Sequence, residues 1–182
     1  MTELDVPLLV VVTGEPATGK TTLARELARE LVVPLLAKDD LKERLFDTLG
    51  TGDRDWSRRL GAATFELMFA LTAELLGAGA SLVIEANFDA ETTSRLRALP
   101  AHRPFEVVCT APVDVKRARF RARAASAARH PGHLDSVVEL ELEAGEHAGR
   151  WQSLRFDGRS VVVDTASPFD VKALAATARA GR

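Results

Sequence analysis

The sequence predicts an α/β domain built on a doubly wound, parallel, five-stranded sheet. Three observations carry this. Five short apolar, β-rich runs recur along the 182 residues, at 8–13, 33–37, 81–85, 105–110 and 160–164. Most are continuous rather than alternating, which suits strands buried on both faces. Helical segments lie between the runs, and strands that alternate with helices form parallel sheets with right-handed crossovers.

The first strand, 8–13, runs into Gly14-Glu15-Pro16-Ala17-Thr18-Gly19-Lys20-Thr21, which matches G-x-x-x-x-G-K-[ST] at every fixed position. A helix over 20–31 follows, so strand, glycine loop and helix stand in the order this phosphate-binding loop (P-loop) needs. The loop's N–H groups are expected to wrap a polyphosphate, with the helix N-terminus adding partial positive charge. Lys20 is placed to reach the β- and γ-phosphates, and the Thr21 hydroxyl to ligate Mg²⁺. Thr22 is the more distal hydroxyl, for packing or the α-phosphate.

The second strand, 33–37, leads through Lys38-Asp39-Asp40 into a helix over 40–49. Ligands of open α/β sheets bind beyond the carboxyl ends of the strands. An ionised carboxylate there can accept a proton from an attacking hydroxyl. Asp39, at the strand end, is the candidate general base. Asp40 is placed to cap the helix and is the second candidate. Gly50-Thr51-Gly52-Asp53 separates this helix from a long one over 56–76. Leu60, Ala63, Thr64, Leu67, Met68, Leu71 and Leu75 recur on it at helical spacing, as for a core stripe.

The third strand, 81–85, ends in Glu85-Ala86-Asn87. An apolar strand ending in a carboxylate is a Walker-B arrangement, in which Glu85 would hold Mg²⁺ through water. Asn87 is placed either to bond substrate or to shape the loop. A helix over 92–99, the strand 105–110 and a helix over 114–128 follow. The last holds Lys116, Arg117, Arg119, Arg121 and Arg123, with Arg129 beyond it and no acid between Asp114 and Asp135. Arg119 and Arg123 share one helix face. With Arg129, they are the candidates to stack on a base or to neutralise a transferring phosphate, Arg123 as a catalytic residue. Arg117 and Arg121 read as a solvated face. His130 and His133 flank Pro131-Gly132 with no further metal ligands nearby, and read as loop-shaping. Helices over 135–148 and 168–180 flank the fifth strand, and Asp164-Thr165 at its end would border a base.

Composition narrows the class. The chain is 46% hydrophobic and 27% charged, ordinary for one globular domain, taken as 1–182. The formal net charge of −2 argues against a nucleic-acid surface. No uninterrupted apolar run approaches a membrane span, and the acidic N-terminus lacks a leader's basic start. The one cysteine, Cys109, lies in an apolar strand, so a buried thiol in a reducing cytoplasm is expected.

At these residues the chain resembles the compact P-loop kinases that include the kinase domain of bacteriophage polynucleotide kinase, chloramphenicol phosphotransferase and the zeta toxins. The resemblance implies the P-loop NTP hydrolase fold with a helical arginine lid, here about 119–135. It implies that Asp39 deprotonates an acceptor hydroxyl, with Lys42, the basic residue three positions later, on the substrate. It likens Glu85 and Asn87 to an acidic residue followed two positions on by a polar one, although Glu stands where Asp is commoner. Arg119 and Arg123 match the lid, and Arg129 continues it.

The expected activity is therefore transfer of the γ-phosphate of ATP, with GTP admissible, to a hydroxyl of a small molecule, nucleoside or nucleotide in the presence of Mg²⁺. The alternatives are a polynucleotide 5′-hydroxyl kinase, which would need a basic groove, and a non-catalytic nucleotide switch, which would leave Asp39 and the arginines without a purpose.

Overall fold

The computed structural model describes residues 6–89, 92–126, 129–143, 153–154 and 158–180. Strands β1 (Leu8–Gly14), β2 (Leu35–Ala37), β3 (Leu82–Glu85), β4 (Arg103–Thr110) and β5 (Arg159–Asp164) form one sheet in the order β2-β3-β1-β4-β5. Every pairing is parallel. The doubly wound five-stranded α/β sheet expected from the sequence is what the chain forms.

Alternation along β1 builds two cores. Leu8, Val10 and Val12 face α1 (Lys20–Leu31) and α7 (Val171–Arg179), where Leu23, Leu27 and Ala175 are fully buried. Leu9 and Val11 face the other way, against α3 (Arg54–Gly77), with Met68, Ile84, Phe88 and Leu96. A strand covered on both faces needs apolar residues at successive positions, which is why 8–12 is continuously hydrophobic.

The register sets the site. Val12 lies opposite Glu85 on one side and Val107 on the other. The ends of β1 and β3 are therefore level, and the loop after β1 opens beside Glu85. The chain leaves β1 toward one edge of the sheet and reaches β4 on the opposite side. This reversal creates the crevice where open α/β sheets bind ligands.

Several boundaries differ from expectation. β2 is only three residues long, and α2 (Lys38–Leu49) begins directly after it, with Ala37 at the N-cap position and no side-chain cap. Asp40 is thus not a capping residue. It forms a two-pronged ion pair with Arg25 of α1, at 2.7 and 2.9 Å. α3 starts earlier than expected because the Asp53 carboxylate accepts from Trp56 N at 2.8 Å and caps it. α4 (Thr93–Arg97) and α5 (Val113–Ala124) are shorter than expected. α6 spans Asp135–Glu143; the expected extension to 148 lies outside the described residues, as do 127 and 128.

The face of α3 also needs correcting. Leu67 and Leu71 are about half exposed and Ala63 is exposed, whereas Ser57, Leu60, Gly61, Thr64, Met68, Phe69, Thr72 and Leu76 are buried. By length and composition alone this 24-residue helix could cross a membrane, although charged residues interrupt its apolar run. It lies instead on the sheet as a core helix, with Arg58, Arg59, Glu66 and Glu74 on its exposed side. Cys109 is buried in β4 as expected, and burial pushes its thiol up to about 12.

Candidate functional site

The loop Gly14–Lys20 is held in shape by its own polar groups. The Glu15 carbonyl accepts from Thr18 Oγ1 at 2.8 Å and from Lys20 Nζ at 3.3 Å. Asn87 Nδ2 donates to Gly14 O at 2.7 Å, which shapes the loop, and Asn87 also lines the cavity. Two glycines are required by conformation. Gly14 has φ +143°, and a Cβ there would lie 2.3 Å from the Cys109 carbonyl. Gly19 has φ +78°, with Thr165 and Arg119 packed close to where a Cβ would point. Ala17 adopts φ 63°, a left-handed conformation that costs a non-glycine residue about 1–2 kcal/mol. The Glu15 side chain pairs with Lys116 of α5, tying the loop to the basic helix. Pro16 lines the cavity beside the loop, and Thr22 is exposed at the helix start.

Two hollows meet at Lys20. The smaller, about 200 Å³, is lined by Ala17, Gly19, Lys20, Thr21, Thr22, Arg119 and Arg123. Arg119 donates to Thr165 Oγ1 at 2.9 Å and to Thr165 O at 2.8 Å. The loop after β5 and the basic helix thus close one side of it together. The larger hollow, about 600 Å³, extends between α2, α3 and the basic segment. Lys20, Thr21 and Arg123 border both.

Glu85 is 3% exposed, and Thr21 Oγ1 donates to its Oε2 at 3.2 Å. Burial pushes the Glu85 carboxyl up to about 6, with the Asp39 charge adding to this and Lys20 and Thr21 opposing it. A buried, under-neutralised carboxylate beside a threonine hydroxyl suits a hard divalent cation, which prefers oxygen ligands. Among the described residues no three His, Cys, Asp or Glu side chains cluster as a metal site. The donor set therefore fits an ion whose remaining ligands are phosphate and water.

Asp39 stands in the first turn of α2, on the wall of the larger hollow. Its side chain is 40% exposed. Burial disfavours its charge, but His133, Lys38, Arg129 and Lys20 overcome that and hold the carboxyl well below the usual range. Arg129 reaches it at 3.4 Å, reaches Glu43 at 3.6 Å, and forms a two-pronged pair with Asp135 at 2.8 and 3.1 Å. Arg123 Nε lies 3.4 Å from the same Asp135 oxygen without hydrogen-bonding geometry. Lys42 is 7% exposed and donates to Ser57 Oγ at 2.8 Å. His133 bonds Glu43 at 2.8 Å, and His130 Nδ1 accepts from Gly132 N, the loop-shaping roles expected of both.

The fold brings Lys20, Thr21, Asp39, Lys42, Glu85, Asn87, Arg123 and Arg129 around one crevice and sets Arg119 beside the P-loop. Sequence reasoning missed Lys38, Arg54, Arg95 and Asp135, which also line the larger hollow. Lys38 stood next to the candidate base and could have been weighed. Arg54 and Arg95 reach the site from distant helices, and no sequence spacing signals that.

A sequence family described as an AAA domain matches residues 9–144, most of the chain. The chain belongs to this family. Its structure is similar to that of a candidate kinase from Chloroflexus aurantiacus, with 38% identity and a TM-score of 0.89, covering 97% of this chain and 99% of the other. An uncharacterized protein of Mycobacterium tuberculosis is 29% identical over 171 residues, 88% of this chain but 32% of that protein. A cytidylate kinase of Pyrobaculum neutrophilum is 33% identical over 104 residues, 56% of this chain and 51% of that protein. The chain thus spans about a third of the length of the mycobacterial relative and about half that of the cytidylate kinase. This AAA-domain chain has a P-loop kinase fold and groups with P-loop kinases.

Proposed function

We propose that the protein is an ATP- and Mg²⁺-dependent phosphotransferase whose acceptor is a hydroxyl on a small molecule, nucleoside or nucleotide. The observation that carries the reading is the placement of an ionised Asp39 across a roomy cavity from Lys20 and Thr21. Nucleotide binding alone would need the loop, not a carboxylate facing it over an open hollow.

In this reading Gly14, Glu15, Pro16, Ala17, Thr18, Gly19, Lys20, Thr21 and Thr22 cradle the phosphates, and Arg119 with the Thr165 loop borders the base. Thr21, and Glu85 through water, would hold Mg²⁺, which supplies charge neutralisation of the phosphates. Asp39 orients the acceptor hydroxyl and takes its proton as the new P–O bond forms. Its low proton affinity keeps it ionised at neutral pH and makes it a late acceptor, matching a loose transfer in which the hydroxyl loses its proton late. Arg123, bordering both hollows, neutralises charge on the transferring group. Arg129 stands beside Asp39, and Lys42 holds the acceptor.

Lys20→Ala tests the phosphate site. It removes the point charge on the β- and γ-phosphates, so transfer should be abolished and nucleotide binding weakened. Wild-type transfer in that variant would overturn the assignment.

A further inference from the structure

The face that α3 turns away from the sheet is largely apolar. Leu67 is 48% exposed and Leu71 43%, with Ala62, Ala63 and Ala70 exposed beside them. Of the helix's most apolar 18-residue stretch, 39% is buried. Arg59, Ala63, Leu67, Ala70 and Glu74 follow one another at helical spacing and form one stripe. All five are exposed. The stripe is about 22 Å long at the usual rise of a helix. It begins with a base and ends with an acid, and its central leucine stands between two alanines.

Scattered apolar residues on a surface are ordinary. What distinguishes this stripe is that it is complementary to its own reverse. Ala63 and Ala70 are equally far from a point between Glu66 and Leu67, and so are Arg59 and Glu74. A second α3 laid antiparallel across that point sets Arg59 against Glu74 of the second copy, at both ends of the contact. Ala63 then meets Ala70 of the second copy, so the backbones can approach closely while the two Leu67 side chains fill the centre. The other charges of this face are matched within the chain. Glu66 holds Arg95 through a two-pronged pair at 2.8 Å, and Arg58 lies 3.7 Å from Asp55. The two Glu66 carboxylates that come near the axis are therefore each neutralised by their own Arg95. Arg59 stacks 5.2 Å from the Trp56 ring centre, and among the described residues neither it nor Glu74 meets a group of opposite charge. A parallel pair would set arginine on arginine and glutamate on glutamate, which opposes it.

We propose that the outer face of α3 is a self-association surface, and that its occupant is α3 of a second copy of this chain in an antiparallel, two-fold dimer. A two-fold contact uses the same patch on both subunits, so one surface must carry both halves of every pair. The stripe meets that condition, with base and acid at mirrored positions about an apolar centre. Neither a lipid surface nor an unrelated partner requires such a match. One helix pair is a small interface, so association with a Kd of roughly 1–50 μM is expected. The inference does not depend on the phosphotransferase reading. Because Ala62, Phe65 and Glu66 of α3 also line the larger hollow, the contact braces one wall of the site.

Sedimentation velocity of the wild type tests the association. Between about 1 and 200 μM at low salt, it should show a reversible monomer–dimer shift that weakens as salt is raised. Arg59→Glu or Glu74→Arg alone sets like charges against each other and should weaken the dimer roughly tenfold. The two changes together should restore most of the affinity, because the pair is then reversed rather than broken. Leu67→Glu should abolish the dimer while the monomer's thermal unfolding changes little, since the residue is half exposed. A wild type that stays monomeric up to about 200 μM overturns the proposal. A dimer that survives Leu67→Glu and both single charge reversals also overturns it.

Cross-linking tests the direction. Cys109 is buried, so an introduced cysteine is the accessible thiol for a short bismaleimide. Leu67→Cys should link to itself across the axis. Arg59→Cys should not, because its two copies stand about 22 Å apart in the antiparallel pair. A mixture of Arg59→Cys and Glu74→Cys should link. Self-linking of Arg59→Cys overturns the antiparallel arrangement. Titration with vesicles of phosphatidylglycerol and phosphatidylcholine tests the other occupant: vesicle binding that is lost in Leu67→Glu, without self-association of the wild type, overturns the dimer and assigns the face to a membrane surface.

Discussion

Glu85 and Asp39 are two carboxylates in one crevice whose proton affinities are driven apart. Glu85 is sealed between strands with Thr21 as its hydrogen-bond donor, so burial dominates and its carboxyl titrates near 6. At Asp39 burial also opposes the charge, but His133, Lys38, Arg129 and Lys20 outweigh it, so its charge is stabilised. The raised value at Glu85 makes the folded state bind a proton more tightly than the unfolded chain. Its contribution to stability is therefore fully present below the ordinary 4.5 and lost as pH rises through about 6. Relative to Glu85→Gln, the wild type should lose on the order of 2 kcal/mol across that window in urea titrations. Adding Mg²⁺ and nucleotide should reverse most of the loss, because a cation favours the ionised carboxyl. A difference between the two proteins that does not vary with pH would show that Glu85 is not held protonated by burial.

At the scale of elements, α5 and Arg129 beyond it form one wall of the site. Arg119 is tied to Thr165, while Arg123 and Arg129 converge on Asp135. Arg123 is the arginine that borders both hollows, so Arg123→Ala should lower kcat by roughly tenfold or more, with a smaller change in nucleotide KM. Near-wild-type kinetics would return Arg123 to a structural pairing with Asp135. The helix that carries the P-loop lysine ends poorly. Val32 terminates α1 in a left-handed conformation, φ 58°, while 86% exposed. A β-branched residue is strained there, and glycine is not. Val32→Gly should therefore stabilise the fold by about 0.5–1 kcal/mol in thermal or urea unfolding, the relief being partly offset by glycine's freer unfolded chain. Destabilisation by a similar amount would mean that Val32's side chain matters more than its backbone strain.

Across the whole molecule, legibility followed locality. The P-loop is contiguous, and its strand and helix are its immediate neighbours, so the fold class and Lys20, Thr21 and Glu85 could be placed from sequence. The sheet's strands are nearly all apolar, which identified them as doubly covered. The same uniformity hid the face of α3: with so many leucines and alanines around it, periodicity selected Leu67 and Leu71, which are about half exposed, over Phe69 and Thr72, which are buried. The capping role expected of Asp40 failed because α2 starts straight off β2, leaving no loop residue to cap. Lys38, Arg54 and Asp135 meet only after α2, α3 and α6 pack around the cavity, a convergence with no linear signature.

The claim that joins these scales is that the crevice transfers phosphate with Asp39 as the proton acceptor. The most direct measurement follows labelled γ-phosphate from ATP to a panel of neutral and phosphorylated hydroxyl compounds, using the wild type and Asp39→Asn side by side with nucleotide binding measured for both. The account predicts acceptor-dependent transfer by the wild type, and a fall of roughly 10²–10⁴-fold in Asp39→Asn with ATP still bound. Undiminished transfer in Asp39→Asn, or no transfer by the wild type to any hydroxyl while ATP binds normally, would contradict it.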